Sequence, residues 1–331
     1  MPEARIIGTG SSVPERVLSN KELESIVDTT DEWITRRTGI KERRISIKDE
    51  NESTSDLATR ASLKAMEMAG VSSQAIDMIV VATVSSDRRF PSTACMVQKE
   101  LDAKNAAAFD VSAACSGFLY ALTTAYNAIQ TGTSETALVI GAERLSSIVN
   151  WEDRNTCVLM ADGAGAILLS SQKGDGRGIM FAHLKSDGSL WNLLYTARGN
   201  SHIPETLQGM DLTSSYMIMN GNRLFKKAIE SMSSAAKEVL NKTSLTGKEI
   251  ALVVPHQANI RIIQALAKDL NIPMEKVYTN IHKYGNTSSA SIPIALDEAN
   301  RDGRINKGDY VLMVAFGGGL TWGASILEWS I

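Results

Sequence analysis

Among 331 residues there are three cysteines and four histidines, so a catalytic thiol or imidazole has few places to be. Cys115 sits in DVSAACSGFLYAL, where an apolar run gives way to small residues and then to a helical apolar pattern through Phe118, Leu119 and Leu122. A thiol at a helix N-terminus faces unpaired backbone N–H groups and the positive end of the helix dipole. Both favour thiolate over the ordinary cysteine value of about 8.5. Cys115 is therefore a candidate nucleophile, with a small buried hydrophobe as the equally common alternative. Cys95 and Cys157 read as structural. His256, in VVPHQANIRII, follows a buried strand and precedes an amphipathic helix, and strand ends are where sites collect in α/β folds; a hydrogen-bonded structural histidine is the competing reading. His183 and His202 have weaker settings. His282, four residues before Asn286, could compete as a base and reads as structural or supporting.

Asn286 lies in YGNTSSASIP, at the start of a helical pattern, where asparagine is commonly a cap or turn residue. The glycines Gly317, Gly318 and Gly319 follow a buried strand in AFGGGLTWG. Such a loop is either a tight turn or a place where backbone N–H groups are exposed to a developing oxyanion. Competing signatures are poor: GTGSSV near Gly8 is an incomplete dinucleotide fingerprint, and no phosphate-binding GxxxxGK[ST], HExxH or paired-cysteine metal motif occurs. No metal and no bound cofactor are expected.

The elements that position these residues follow from the apolar pattern. Continuous runs at Ile76, Ala107, Thr136 and Ala164 read as strands covered on both faces. Helical stretches lie between them, for example SDLATRASLKAMEMAG from Ser55, which opens on a possible serine cap and stops at Gly70. Alternation of this kind implies an α/β layered fold. The second half repeats the order, with strands expected at Glu249, Lys276, Asp309 and Trp322. The repetition reads as an internal duplication that places Asn286 where the first half places Cys115. It divides the chain into 1–173, carrying the thiol, and 174–331, carrying the histidine and asparagine, at the Gly-rich stretch QKGDGRG from Gln172.

Composition excludes several classes. With 44% hydrophobic and 21% charged residues the chain is an ordinary globular one, neither disordered nor stapled by disulfides. A net charge of −3 lacks the positive excess that neutralises phosphates, which argues against nucleic acid. No apolar run approaches a membrane span of about 20 residues, and the first residues lack a signal-peptide core, so a cytoplasmic location is expected.

DTTDEWITRRTGIKERR, DVSAACSGF, DGAGA, PHQANIRI, YGNTSSASIP and FGGGLTWGA, in this order, resemble the β-ketoacyl-acyl-carrier-protein synthase III family over essentially the whole chain. The resemblance implies a thiolase-like fold, internally duplicated, with five layers α-β-α-β-α, and a homodimer. It implies the catalytic set Cys115, His256 and Asn286, an oxyanion hole from the N–H groups of Cys115 and Gly318, and a decarboxylative condensation of a short acyl-CoA, acetyl-CoA first, with malonyl-acyl carrier protein. It further implies CoA binding by Trp33, Arg37, Arg154, Gly221 and Asn259, with Trp33 and Arg154 on either side of the adenine. By the same resemblance Phe225 would fall beside the pantetheine tunnel and Phe90 would reach into a partner's acyl pocket. An acidic carrier protein needs a basic patch at the tunnel mouth, for which Lys226, Lys227, Arg261 and Lys268 are candidates. One departure stands out: the family pattern FGDGAGA reads Met160, Ala161 and then DGAGA here, which bears on the acyl pocket.

The alternatives are a same-fold paralogue with another starter or acceptor, or a non-catalytic carrier-protein or CoA binder. A thiolase is disfavoured because no cysteine follows Cys157, and an elongating synthase because Asn286 stands where that class has a second histidine.

Overall fold

The apolar runs form two sheets in a computed structural model that describes residues 3–47, 51–172, 177–196 and 216–331. The first sheet contains β1 (Glu3–Ser12), β2 (Met78–Ala82), β3 (Ala107–Val111), β4 (Thr136–Arg144) and β5 (Asp162–Gln172), in the spatial order β1-β5-β4-β2-β3. The second contains β6 (Gly178–Ser186), β7 (Ile250–Pro255), β8 (Tyr310–Gly317) and β9 (Thr321–Glu328), in the order β6-β9-β8-β7. The four strands of the second order repeat the first four of the first, β3 having no counterpart strand, which is the duplication expressed in topology.

Helices fill the layers. Between the sheets lie α4 (Gly117–Thr131) and α7 (Ser291–Arg301), whose Phe118, Leu119, Leu122, Ile292 and Leu296 share one core with both inner sheet faces. Outside the first sheet are α2 (Thr54–Ala69) and α3 (Thr93–Leu101), burying Leu57 and Val97 against Ile79 and Leu138. Outside the second are α5 (Gly221–Thr243) and α6 (Ile260–Asp269), with Met232, Val239 and Ile263 against Leu312 and Val314. Each such side chain contributes about 1.5–3 kcal/mol on leaving water. The result is the five-layer thiolase-like fold. A fourth cluster holds α1 (Asp31–Thr38), through Ile34, against Leu145, Cys157 and Met160.

Several expectations are corrected. The helix expected from Ser55 is capped by Ser53, whose side chain accepts from Asp56 N while the Asp56 carboxylate accepts from Ser53 N. Two strands carried no clear signal. β1 is interrupted by Gly8 and Gly10, which are required because a Cβ at either would meet a main-chain oxygen of α2, Ala65 O or Ala61 O, at 2.2 Å. β6 carries His183 amid its apolar residues and ends in the exposed polar pair Lys185 and Ser186. The strand expected at Lys276 reduces to a single bridge from Val277 to Val253. The Gln257 side chain takes its place, donating to Tyr278 O and accepting from Asn280 N, so a side chain satisfies backbone groups that a longer ladder would have paired.

The register of the duplication also differs. Ala114 and Ser288 both adopt positive φ, 45° and 49°, each opening a short 3-10 turn that leads into α4 or α7. That match aligns Cys115 with Ser289, and Asn286 falls three residues earlier. The expected division at 173/174 lies outside the described residues, as does His202.

Candidate active site

Cys115 is the middle residue of the turn Ala114–Ser116, held where β3 ends and α4 begins. Beneath it Gly317 ends β8; a Cβ there would lie 2.6 Å from Cys115 N, so only glycine leaves that amide undisturbed. His256 extends β7 by one residue, its N–H donating to Val314 O at 2.8 Å. Asn286 is clamped by its backbone, its N–H donating to Leu159 O at 2.8 Å and its carbonyl accepting from Ala161 N at 2.9 Å. All three line one cavity of about 1440 Å³.

Neighbouring groups engage one nitrogen of the His256 ring and the oxygen of the Asn286 amide. Ser291 Oγ accepts from Gln257 N at 3.3 Å and lies 2.7 Å from His256 Nδ1. With the hydroxyl donating to Nδ1, the neutral ring carries its own proton on Nε2. Asn286 Oδ1 accepts from Ser288 N at 2.8 Å, which leaves the Nδ2 donors unspent. Burial lowers the His256 pKa to about 3, so the imidazole is a neutral hydrogen-bond donor. Burial likewise pushes the Cys115 thiol up to about 12. The resting group is the thiol, against the thiolate expected from the helix terminus: desolvation outweighs the dipole here.

Most of the expected binding residues converge on the same cavity. Trp33, Arg37 and Arg154 line it, with the two guanidinium carbons 5.5 Å and 5.0 Å from the indole centroid. Asn259 caps α6, accepts from Arg261 N and donates to Arg37 O at 3.2 Å, while Gly221 starts α5. Met160, Phe225, Lys226, Arg261 and Gly318 also line it, with the Arg261 guanidinium 5.3 Å from the Phe225 centroid.

Three expected residues do not line it. Phe90 is 85% exposed and fills no pocket of its own chain. Lys227 pairs with Glu230 at 3.0 Å, and Lys268 stands on the exposed face of α6 that it shares with Arg261. His282 is also outside; it is half-buried, and its carbonyl accepts from Lys41 N. Cys95 and Cys157 lie off the cavity, Cys157 wholly buried. Ser288 and Ser291 were not anticipated; the serine-rich run after Asn286 is the one local signal for them.

A duplicated thiolase-type fold that sets a cysteine at a strand-to-helix turn, in one cavity with an imidazole and an amide, defines a condensing acyltransferase. Residues 109–188 match the family described as 3-oxoacyl-[acyl-carrier-protein (ACP)] synthase III, and residues 240–329 match its C-terminal counterpart. A β-ketoacyl-[acyl-carrier-protein] synthase III of Caldanaerobacter subterraneus subsp. tengcongensis is 52% identical over 327 residues, covering 99% of this chain and 98% of its own. The crystal structure of the 3-oxoacyl-[acyl-carrier-protein] synthase III of Aquifex aeolicus aligns at 51% identity with a TM-score of 0.91, over 98% of this chain and 100% of that one. The priming β-ketosynthase of the R1128 polyketide pathway superposes equally well, at 0.91, but at 36% identity, over 100% of this chain and 98% of that one. The chain belongs to the β-ketoacyl-[acyl-carrier-protein] synthase III family.

Proposed function

We propose that the chain transfers the acyl group of a short acyl-CoA, acetyl-CoA first, to Cys115 and condenses it with malonyl-acyl carrier protein, initiating fatty acid synthesis. The observation that carries the reading is the pair of donors, His256 Nε2 and Asn286 Nδ2, freed by Ser291 and Ser288 N and belonging to residues that share a cavity with the thiol. In the first half-reaction Cys115 Sγ bonds to the acyl carbon, the carbon–sulfur bond to CoA breaks, and the thiol proton ends on the CoA sulfur. The N–H groups of Cys115 and Gly318 stabilise the tetrahedral oxyanion. In the second, malonyl thioester loses carbon dioxide. His256 and Asn286 donate to the thioester oxygen as enolate charge builds there, and the resulting carbanion displaces the Cys115 sulfur, which takes up a proton. This chemistry calls on no resident cofactor or metal.

Trp33 supports CoA recognition: adenine stacks on the indole in the place Arg154 now occupies, with that guanidinium moving to its outer face. Gly221 and Asn259 flank the pantetheine arm. Lys226 and Arg261 at the cavity mouth, with Lys227 and Lys268 further out, suit an acidic carrier protein. Met160 replaces a phenylalanine of the family pattern beside the backbone of Asn286, so the acyl pocket is where this chain's primer preference is set. A homodimer is supported by the half-exposed edge strand β3 and by the exposed Phe90, both of which a second copy would cover. No helix among the described residues is long and apolar enough to cross a membrane, and a cytoplasmic site of action suits these water-soluble thioesters.

Intact mass after incubation with a panel of acyl-CoAs, followed by a malonyl-acyl carrier protein chase, tests the proposal. An acetyl adduct absent from Cys115→Ala and converted to acetoacetyl product is expected. Preference for another primer would favour a starter paralogue, for which the likeness to the R1128 priming enzyme is the precedent. No adduct from any primer would leave a binding protein.

A further inference from the structure

Glu143, at the end of β4, is fully buried beside the active site, and the mechanism above gives it no task. Among the described residues no ion pair reaches it. Its two oxygens have unlike surroundings. Oε2 accepts from Ser85 Oγ at 2.6 Å, Val84 N at 3.1 Å and Thr83 Oγ1 at 3.3 Å, all from the chain leaving β2. Oε1 has one partner at full hydrogen-bond geometry, Ser289 Oγ at 2.9 Å, with the Ser288 hydroxyl close to the carboxyl as well, and the Ser289 hydroxyl lies 2.8 Å from Ala82 O.

Counting protons decides the state. Two oxygens stand at hydrogen-bond distance from Ser289 Oγ, and a hydroxyl supplies one proton. A carbonyl has none to give, so Ser289 donates to Ala82 and the contact with Glu143 is filled by a proton on Oε1. The ionised alternative would leave either Ala82 O or Glu143 Oε1 facing an oxygen with no proton between them, in a site with no water-exposed escape.

We infer that Glu143 is a neutral carboxylic acid that donates to Ser289 and so fastens the turn Ser288–Ala290, which follows Asn286, to the strand ends of the opposite half. Burial, which pushes this carboxyl above the usual range, agrees. Glu143 is thus a positioning residue, and the inference rests on Cys115 and Asn286 being the reacting pair. Ser289, its partner, is the structural counterpart of Cys115 in the second half. The titratable group that faces Glu143 is the Cys115 thiol itself. Arg144 points to the other side of the strand, with its N–H on Ser85 Oγ. A neutral Glu143 therefore places no negative charge behind the sulfur when it ionises.

The test pairs Glu143→Gln with glutamate labelled at the side-chain carboxyl carbon. The amide of Gln places its NH₂ toward Ser289 and its oxygen toward Ser85, reproducing a neutral acid. Retention of wild-type acylation and condensation within about threefold is expected, with an unchanged pH profile for alkylation of Cys115. In wild type one labelled glutamate should keep the chemical shift of a protonated acid at mildly alkaline pH, and that signal should vanish in Glu143→Gln. A wild-type spectrum with every glutamate ionised overturns the inference, as does a Cys115 alkylation profile that moves to lower pH when Glu143 becomes Gln. The spectrum needs no turnover, so it decides the matter even where the variant fails to fold. Failure of the nucleophile assignment would show separately, as an acetyl adduct surviving in Cys115→Ala.

Discussion

Replacing Gly317 by alanine adds a methyl group directly under the nucleophile. The new Cβ would stand 2.6 Å from Cys115 N, 3.0 Å from Ser116 N and 3.2 Å from Ala114 Cβ. The two nearest are main-chain atoms of a turn whose first residue is already at positive φ, so no side chain can swing aside. Overpacking of this kind costs about 1–3 kcal/mol. At roughly 2–4 °C per kcal/mol for domains somewhat smaller than this chain, Tm should fall by a few degrees. The larger effect is on rate. Displacing the Cys115 amide removes an oxyanion donor worth about 2.7–4 kcal/mol, which lowers acyl transfer by roughly 10²–10³. Rapid-quench intact mass, following acetyl-Cys115 formation from acetyl-CoA, reads that rate, and a thermal melt reads the fold. The substitution does not touch Trp33, the residue proposed to bind CoA, so KM should change little. A Gly317→Ala enzyme that acylates at the wild-type rate with an unchanged Tm would refute the argument that this close approach builds the oxyanion site.

Ser291→Ala removes the proton directed at His256 Nδ1, and decarboxylation of malonyl-acyl carrier protein should slow about tenfold, the worth of one hydrogen bond, while Cys115 acylation stays at its wild-type rate. Equal loss in both steps would count against a tautomer-setting role. His256 titrates near 3 when folded, against 6.5 as its ordinary value, so the unfolded chain binds a proton that the folded one refuses. Its contribution to stability is whole above 6.5 and is lost as pH falls from there toward 3, which denaturant titrations at descending pH, with His256→Gln as reference, should reproduce. Trp33→Ala deprives Arg37 and Arg154 of their shared ring, and KM for acetyl-CoA should rise about tenfold while acetyl-pantetheine, which lacks the adenine, reacts as before. A matching rise for both substrates would place Trp33 elsewhere in the binding path.

How much of this was legible depends on whether the controlling contact is local. The strands at Ile76, Thr136 and Asp309 are continuous apolar runs buried on both faces, so their pattern announces them. Lys276 opens a similar run, yet Gln257, far away in sequence, supplies the hydrogen bonds a strand would have needed. Cys115, His256 and Asn286 could be picked out because each stands where an apolar run meets a polar or small-residue turn. Local pattern could not tell that desolvation would defeat the helix terminus at Cys115, since burial is a property of what packs above and below.

The sequence by itself therefore determined the duplicated α/β order and the three residues at its strand and helix junctions, because apolar periodicity and small-residue turns act over a few neighbours. Tertiary structure alone decided which atoms of those residues are presented. Ser291 fixes the imidazole of His256 from 35 residues away, and Ser289 meets Glu143 across 146. Hydrogen-bond partners and desolvation are set by three-dimensional neighbours, and a proton has no address until those neighbours are in place.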